Sequence, residues 1–361
     1  MVRIVTSTVL LLMITACGAI SSSGVPLVGV QNSSDDDRAA LIARAQVWTP
    51  TNVASMDIRT GPKETGSFPF LASVTCDYYD KDLSGASPKF PCRAGEDELK
   101  VKYGGNNSEV FGEVAATRLL WALGFGADRM YPVKVVCRGC PSTLAGIARE
   151  NKEFFFDPAT IERKLPGREL EPDSAWSWTE LDAIDEAKGG APLAHRDALK
   201  LLAVFLQHTD TKPQQQRVMC LGAPATEPVT ATNCSQPFMM VSDLGLTFGK
   251  ANFMNTNGKG MNFVAWAATP IWKDGSSCIG NLSKSFTGTL KDPVISEAGR
   301  AFLSDLLRQL SDDQIRALFE VARVNLRLRD PAKAKSGMAT VDEWTEVFKR
   351  KRAEIAEHRC A

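Results

Sequence analysis

Hydrophobic and polar positions alternate through much of the first third of the chain. In "FLASVTCDYY" (Phe70–Tyr79), β-favouring residues recur at nearly every second position, the period of a strand with one buried face. In "ELKVKYG" (Glu98–Gly104), Leu99, Val101 and Tyr103 share one face, and Lys100 and Lys102 share the other. "MYPVKVVC" (Met130–Cys137) reads as a further strand. Between them, "SEVFGEVAATRLLWALGFG" changes period. Val110, Phe111, Val114, Leu119 and Leu123 predict a helix with Ser108 as N-cap and Gly124 as its stop. Later the balance shifts. "HRDALKLLAVFLQH" (His195–His208) predicts a helix with a mostly apolar body, and "RVMC" and "PFMMVSDLG" predict short strands joined by a polar connection. From about residue 293 three helical patterns follow, the second opening on Ser311 and the third ending near Cys360. "KRKR" (Lys349–Arg352) reads as a solvated helix face. There is no internal repeat. A β-rich part with one helix, followed by a helix-rich part, predicts an α+β protein with two lobes.

The N-terminus adds a compartment. Arg3 precedes a short apolar run, Val9–Ile14, and then small residues. The run is too short to span a bilayer and reads as a signal segment. "ITAC" (Ile14–Cys17) resembles the bacterial lipoprotein box, which implies lipidation of Cys17 and anchoring without a spanning helix. Gly18 after that cysteine resembles the outer-membrane pattern, so the expected place is the cell envelope. The expected division is a signal peptide at 1–17, a flexible tether at 18–50 around Asp35–Asp37, a β-rich lobe at 51–145 and a helical lobe at 146–361. Beyond Cys17 eight cysteines remain, an even number that suits disulfides in an exported chain. Proximity suggests Cys76–Cys92, Cys137–Cys140, Cys220–Cys234 and Cys278–Cys360. The alternative for Cys137 and Cys140 is half of a zinc or redox site, although no second pair of ligands is evident.

Composition excludes little else. The 361 residues are 44% hydrophobic and 23% charged, with 42 basic and 42 acidic side chains. No net field or basic–aromatic run favours nucleic acid, so none is expected as a partner.

The polar run "HTDTKPQQ" (His208–Gln215) ends the apolar helix, and it changes the picture. His208, Asp210, Lys212 and Pro213 match the catalytic loop H-R-D-x-K-P-x-N of the protein-kinase-like superfamily. Downstream, Asp243-Leu244-Gly245 resembles the metal-binding D-F-G. Upstream, "LKVK" resembles the lysine strand and points to Lys102, with Glu113 of the next helix as its partner; Lys100 and Glu109 stay open as rivals. The resemblance implies a two-lobed fold that uses ATP and Mg²⁺ or Mn²⁺ to transfer phosphate to a hydroxyl acceptor. Asp210 would be the base and Lys212 would offset charge on the transferred group. Asp243 and Gln215 would hold metal, and Lys102 with Glu113 would grip phosphates. Gly61 and Gly66 in "GPKETGSF" could form a glycine cover. His208 itself reads as structural, bonding backbone near the loop. Departures from the family pattern are Gln215 for Asn, Thr209 for Arg, and the long interval from Asp210 to Asp243 with Cys220 and Cys234 inside it. These features resemble HipA-type, spore-coat-type and secreted kinases. A pseudokinase scaffold and a nucleotidyl transferase on the same fold remain the alternatives.

Overall fold

In β1 (Ala72–Tyr78), Val74 and Cys76 turn inward while Ser73, Thr75 and Asp77 face water, as strand periodicity requires. β2 (Lys89–Ala94), β3 (Asp97–Tyr103), β4 (Arg129–Arg138) and β5 (Glu153–Arg163) follow. Their order, β1-β2-β3-β5-β4, closes into a barrel because β1 also pairs with β4 in parallel. Closure removes the exposed edges that an open sheet would leave. Phe90, Cys92, Leu99, Val101, Val133 and Ile161 fill the interior. This is a computed structural model, and it describes residues 34–145, 153–223, 228–249 and 260–360. The expected signal segment and Cys17 lie outside those residues.

Pairing register decides what the barrel presents outward. Lys100 lies opposite Pro91 and Glu162, and Lys102 lies opposite Lys89 and Thr160. Partners across a ladder share a face, so one outer wall carries Lys89, Lys100, Lys102 and Glu162. The helix α2 (Glu109–Leu123) packs on this wall and stops at Gly124, whose φ of 87° is the left-handed value that suits glycine. Every α2 side chain except Trp121 is buried, so two glutamates of this helix lie inside the protein.

The remaining sheet, in the order β6-β7-β8, is small: β6 (Arg168–Glu169), β7 (Gln216–Cys220) and β8 (Pro237–Val241). Around it lie α1 (Asp35–Ala43), α4 (Leu193–Leu206), α5 (Phe263–Ala268), α6 (Glu297–Arg308), α7 (Asp312–Val321) and α8 (Val341–Glu357), while a short α3 (Ser142–Ala145) follows β4 with Leu144 against the barrel core. Ser311 caps α7 in a capping box with Gln314, as its position predicts. The core between the helices is aromatic: Trp266 and Trp344 stack at 5.4 Å between Phe248, Phe319 and Phe348. Among the described residues, no helix is long and apolar enough to cross a membrane.

The α+β class holds, and four expectations change. Residues 35–48, expected in a tether, are folded: Leu41, Ile42 and Val47 are buried, and Arg38 donates to Asp173 O, Ala175 O and Glu180. The boundary expected at 145 cuts the barrel, since β5 lies beyond it and closes β3 onto β4. Ser108 precedes α2 in helical backbone and makes no capping bond. In "KRKR", Lys351 is buried, and its Nζ donates to Thr269 O above the Trp266 ring, so that face is partly core.

The four cysteine pairs suggested by proximity are disulfides: Cys76–Cys92, Cys137–Cys140, Cys220–Cys234 and Cys278–Cys360. Cys137 and Cys140 therefore bond each other instead of forming half of a zinc site. The last pair closes a span of 82 residues and the third a span of 14. Chain entropy makes the longer loop worth about 4 kcal/mol and the shorter about 3 kcal/mol. Urea denaturation of Cys278→Ser/Cys360→Ser should show the larger loss of the two pairs.

Candidate active site

The loop after α4 begins with a turn that the helix itself prescribes. Gln207 takes left-handed backbone (φ 51°), and His208 N then donates to Ala203 O at 2.9 Å. The chain leaves as Thr209–Lys212, clasped by Thr209 N on Leu246 O and by Thr289, which bonds Thr211 through backbone and hydroxyl. Register does the rest. Gln216 pairs with Val241 across β7 and β8, so the next residues outward also meet. Ser242 N and Asp243 N both donate to Gln215 O, at 2.9 and 3.1 Å. The hairpin thereby brings Asp210, Gln215 and Asp243 to one place, and the Cys220–Cys234 bond ties the end of β7 to the connection that leads to β8.

That place faces the lysine wall. Lys102, Asp210, Lys212, Gln215 and Asp243 line one cleft of about 830 Å³ with Lys89, Lys100, Glu109 and Glu162. Lys102 Nζ is 2.5 Å from Glu113, 3.0 Å from Glu109 and 3.4 Å from Glu162, and the side chain is 2% exposed. Glu113 and Glu109 are thus not alternatives, because residues four apart on α2 share a face and both reach the ammonium. Lys100 goes instead to Glu162 at 2.7 Å. Gly245 permits the close approach, since a Cβ there would lie 2.2 Å from Glu109 Cγ.

The electrostatics follow from burial and count. Burial pulls the Lys102 pKa down, but Glu113, Glu109, Glu162 and Asp243 outweigh it and raise it well above the usual lysine value. Four carboxyls around one cation are an excess. Burial pushes the Glu113 carboxyl up to about 8, against Lys102 and with the repulsion of its neighbours. Asp243 stays ionised: burial opposes this, and Lys102 and the Gly245 N–H, donating at 3.0 Å, outweigh it. An ionised carboxylate such as Asp243 is an oxygen ligand that suits a hard divalent cation such as Mg²⁺. The zone between Asp243 and Lys102 can thus hold a metal and the oxygens of an anionic ligand.

Other expected residues are placed as follows. Asp210 is buried; its Oδ2 accepts from Gln215 Nε2 at 2.7 Å and lies 3.3 Å from Lys212 Nζ. Gln215 lines the cleft, yet its amide nitrogen holds Asp210. Gly61 and Gly66 do not line the cleft. Arg118 lies on the Cα of Gly61, where a Cβ would overlap its guanidinium, and Gly66 lies against Arg163. The segment that does cover the cleft is Ser84–Ser87, between β1 and β2, with Gly85 at its turn and Ser87 Oγ donating to Glu109 at 2.8 Å. His208 does not bond backbone through its ring. Neither ring nitrogen has a hydrogen-bond partner among the described residues, and the ring lies 6.1 Å from that of Trp178.

Two residues escaped the sequence reading. Glu162 lies on β5, whose Pro158 interrupts the alternation of "EFFFDPATIER". Asp128 is buried beside the D-L-G turn and accepts from Ser242 Oγ at 2.8 Å, Leu165 N at 2.9 Å and Lys164 at 2.9 Å. Nothing in the sequence around Asp128 marks it.

No family model and no curated protein matches the sequence. Among solved structures, the chain is similar to the crystal structure of a Helicobacter pylori proinflammatory kinase, CtkA. The identity is 10% and the TM-score 0.42, over 80% of this chain and 95% of that one.

Two outcomes follow. Lys102→Met leaves buried carboxyls without their cation and is expected to cost about 3–5 kcal/mol in urea denaturation, whereas Lys100→Met, at the cleft edge, should cost about 1 kcal/mol or less. Burial holds the His208 pKa down to about 4, although Asp210 and Asp243 pull it up. The unfolded chain, near 6.5, takes the proton first. Stability tied to this group is therefore complete above about pH 6.5 and lost as pH falls toward 4, to a limit of about 3 kcal/mol. His208→Gln should lose that much less between pH 7 and pH 4.

Proposed function

We propose that the chain is an exported, kinase-like protein of two lobes, the barrel with α2 and the helical part, which transfers phosphate from ATP to a hydroxyl acceptor with Mg²⁺. The observation that carries this reading is the convergence of Lys102, paired with Glu113, Asp210 and Asp243 on one cleft from three separate stretches of sequence. Phosphoryl transfer depends mainly on positioning and charge neutralisation, and these four residues supply both. Lys102, fixed by Glu113, binds phosphate oxygens. Asp210, held by Gln215 and Lys212, orients the acceptor hydroxyl and takes its proton. Lys212 offsets charge on the transferred group. Asp243 would hold the metal, with the Gln215 side-chain oxygen as the second donor. Magnesium, when bound, would supply positive charge that offsets the charge of the phosphates. Four disulfides suit an oxidising compartment, and lipidation at Cys17 would tie the protein to the envelope.

A pseudokinase scaffold is the second reading. The Gln215 amide favours it, because the nitrogen already donates to the proposed base. Purified full-length chain, incubated with labelled ATP and Mg²⁺, separates the readings. The enzyme should transfer label to protein or added hydroxyl acceptors, and Asp243→Ala should lower the rate by about 10²-fold or more. Mass spectrometry distinguishes a phosphoryl from a nucleotidyl addition. No transfer or hydrolysis, with Asp243→Ala no different, overturns the enzymatic reading. A scaffold without the site would also show no metal-dependent thermal shift with nucleotide.

A further inference from the structure

Among the described residues of the cleft, the walls suit phosphates and none suits a purine. Among the described residues lining it are six cations, Lys89, Lys100, Lys102, Lys164, Lys212 and Arg217, against four carboxylates. Ala86 and Leu246 are the apolar side chains there, and no aromatic ring is among the described residues of the lining. Binding sites for flat organic ligands are normally walled by apolar and aromatic groups. Here the strand face that would form the roof presents the Lys100–Glu162 ion pair beside Lys102. A ring laid on it would strip water from both charges. The apolar residues that follow β5 and line the small sheet, Leu165, Met219, Phe238 and Met240, are packed against one another as a separate cluster.

The covering segment points the same way. Lys89 is intermediate in exposure and makes no ion pair with a described residue. Its Nζ donates to Ser87 Oγ at 3.2 Å, and burial lowers its pKa despite Glu109. It is a cation aimed at the cleft with no carboxylate in contact. Magnitudes favour the phosphate term. Stacking of a base on an aromatic ring is worth about 1–3 kcal/mol, and no ring is among the described residues of the lining. One cation–phosphate contact near a protein surface is worth about 4 kcal/mol before desolvation.

We propose that the donor is recognised through its phosphoanhydride chain alone, so that the cleft takes linear inorganic polyphosphate and any nucleoside triphosphate alike. This rests on the phosphotransfer reading and deepens it. The acceptor oxygen forms a bond to the terminal phosphorus, and its proton passes to Asp210. The bridging P–O bond breaks, and its electron pair leaves on the shortened phosphate chain. Lys102, Lys89 and Lys212 bind that chain, and no step involves the nucleobase. A donor of this class also suits a compartment outside the cytoplasm, where ATP is scarce.

Isothermal titration calorimetry on the full-length chain with saturating Mg²⁺ tests this without relying on turnover. The probes are ATP, GTP, CTP, UTP, sodium tripolyphosphate and adenosine. The four triphosphates should bind within about threefold of one another, tripolyphosphate should compete within about tenfold, and adenosine should not bind. Lys89→Gln should weaken ATP and tripolyphosphate by the same factor, about tenfold. A preference for ATP over CTP of more than about tenfold, or competition by adenosine, overturns the inference and leaves phosphotransfer standing. If neither ATP nor tripolyphosphate binds, both readings fall together.

Discussion

A single ammonium group sets the arrangement of this protein. Lys102 is almost wholly buried, and a buried cation is tolerable only when carboxylates surround it. Glu113 and Glu109 come from α2, Glu162 from β5, and Asp243 from the turn after β8. Together they tie three elements to β3. Removing the ammonium would leave carboxylates uncompensated in the interior, which is far more costly than losing a surface pair. The helix, the barrel and the D-L-G turn are therefore held in mutual register by electrostatics as much as by packing. Gly245, where no side chain would fit, shows how closely they approach.

The same cluster shows which parts of the site the sequence makes legible. Asp210, Lys212 and Asp243 sit in short local patterns, and backbone register in the β7–β8 hairpin is enough to bring them together. Lys102 was readable only as one of two lysines, because positions two apart on a strand point the same way. The choice between them is made by α2, which lies over one and leaves the other at the cleft edge. Glu162 and Asp128 had no such local mark. Their roles come from strand pairing and from a turn contact more than a hundred residues away, and neither leaves a period in the sequence. The glycine cover failed for a related reason. Gly61 and Gly66 have the spacing of a phosphate loop, but Arg118 and Arg163 occupy the space beside them. A glycine reports that something comes close, not what.

The fold was legible as a class more than as a topology. Alternation gave strands and the 3.6-residue period gave helices, yet barrel closure rests on the parallel β1–β4 pairing and on β5, whose proline hides it. The folded segment after Ser34 was hidden in another way. Its acidic first turn reads as a solvated tether, while in the structure it caps a helix whose far end is core.

We propose buried Lys102 and ionised Asp243 as the two ends of a phosphate-binding site. A crystal structure of the full-length chain with Mg²⁺ and a non-hydrolysable ATP analogue tests it most directly. The account predicts a metal about 2.1 Å from an Asp243 carboxylate oxygen and phosphate oxygens within hydrogen-bonding distance of Lys102 Nζ, beneath the Ser84–Ser87 segment. Phosphates bound elsewhere, or a cleft in which Lys102 keeps all its carboxylates and meets no ligand, would contradict it.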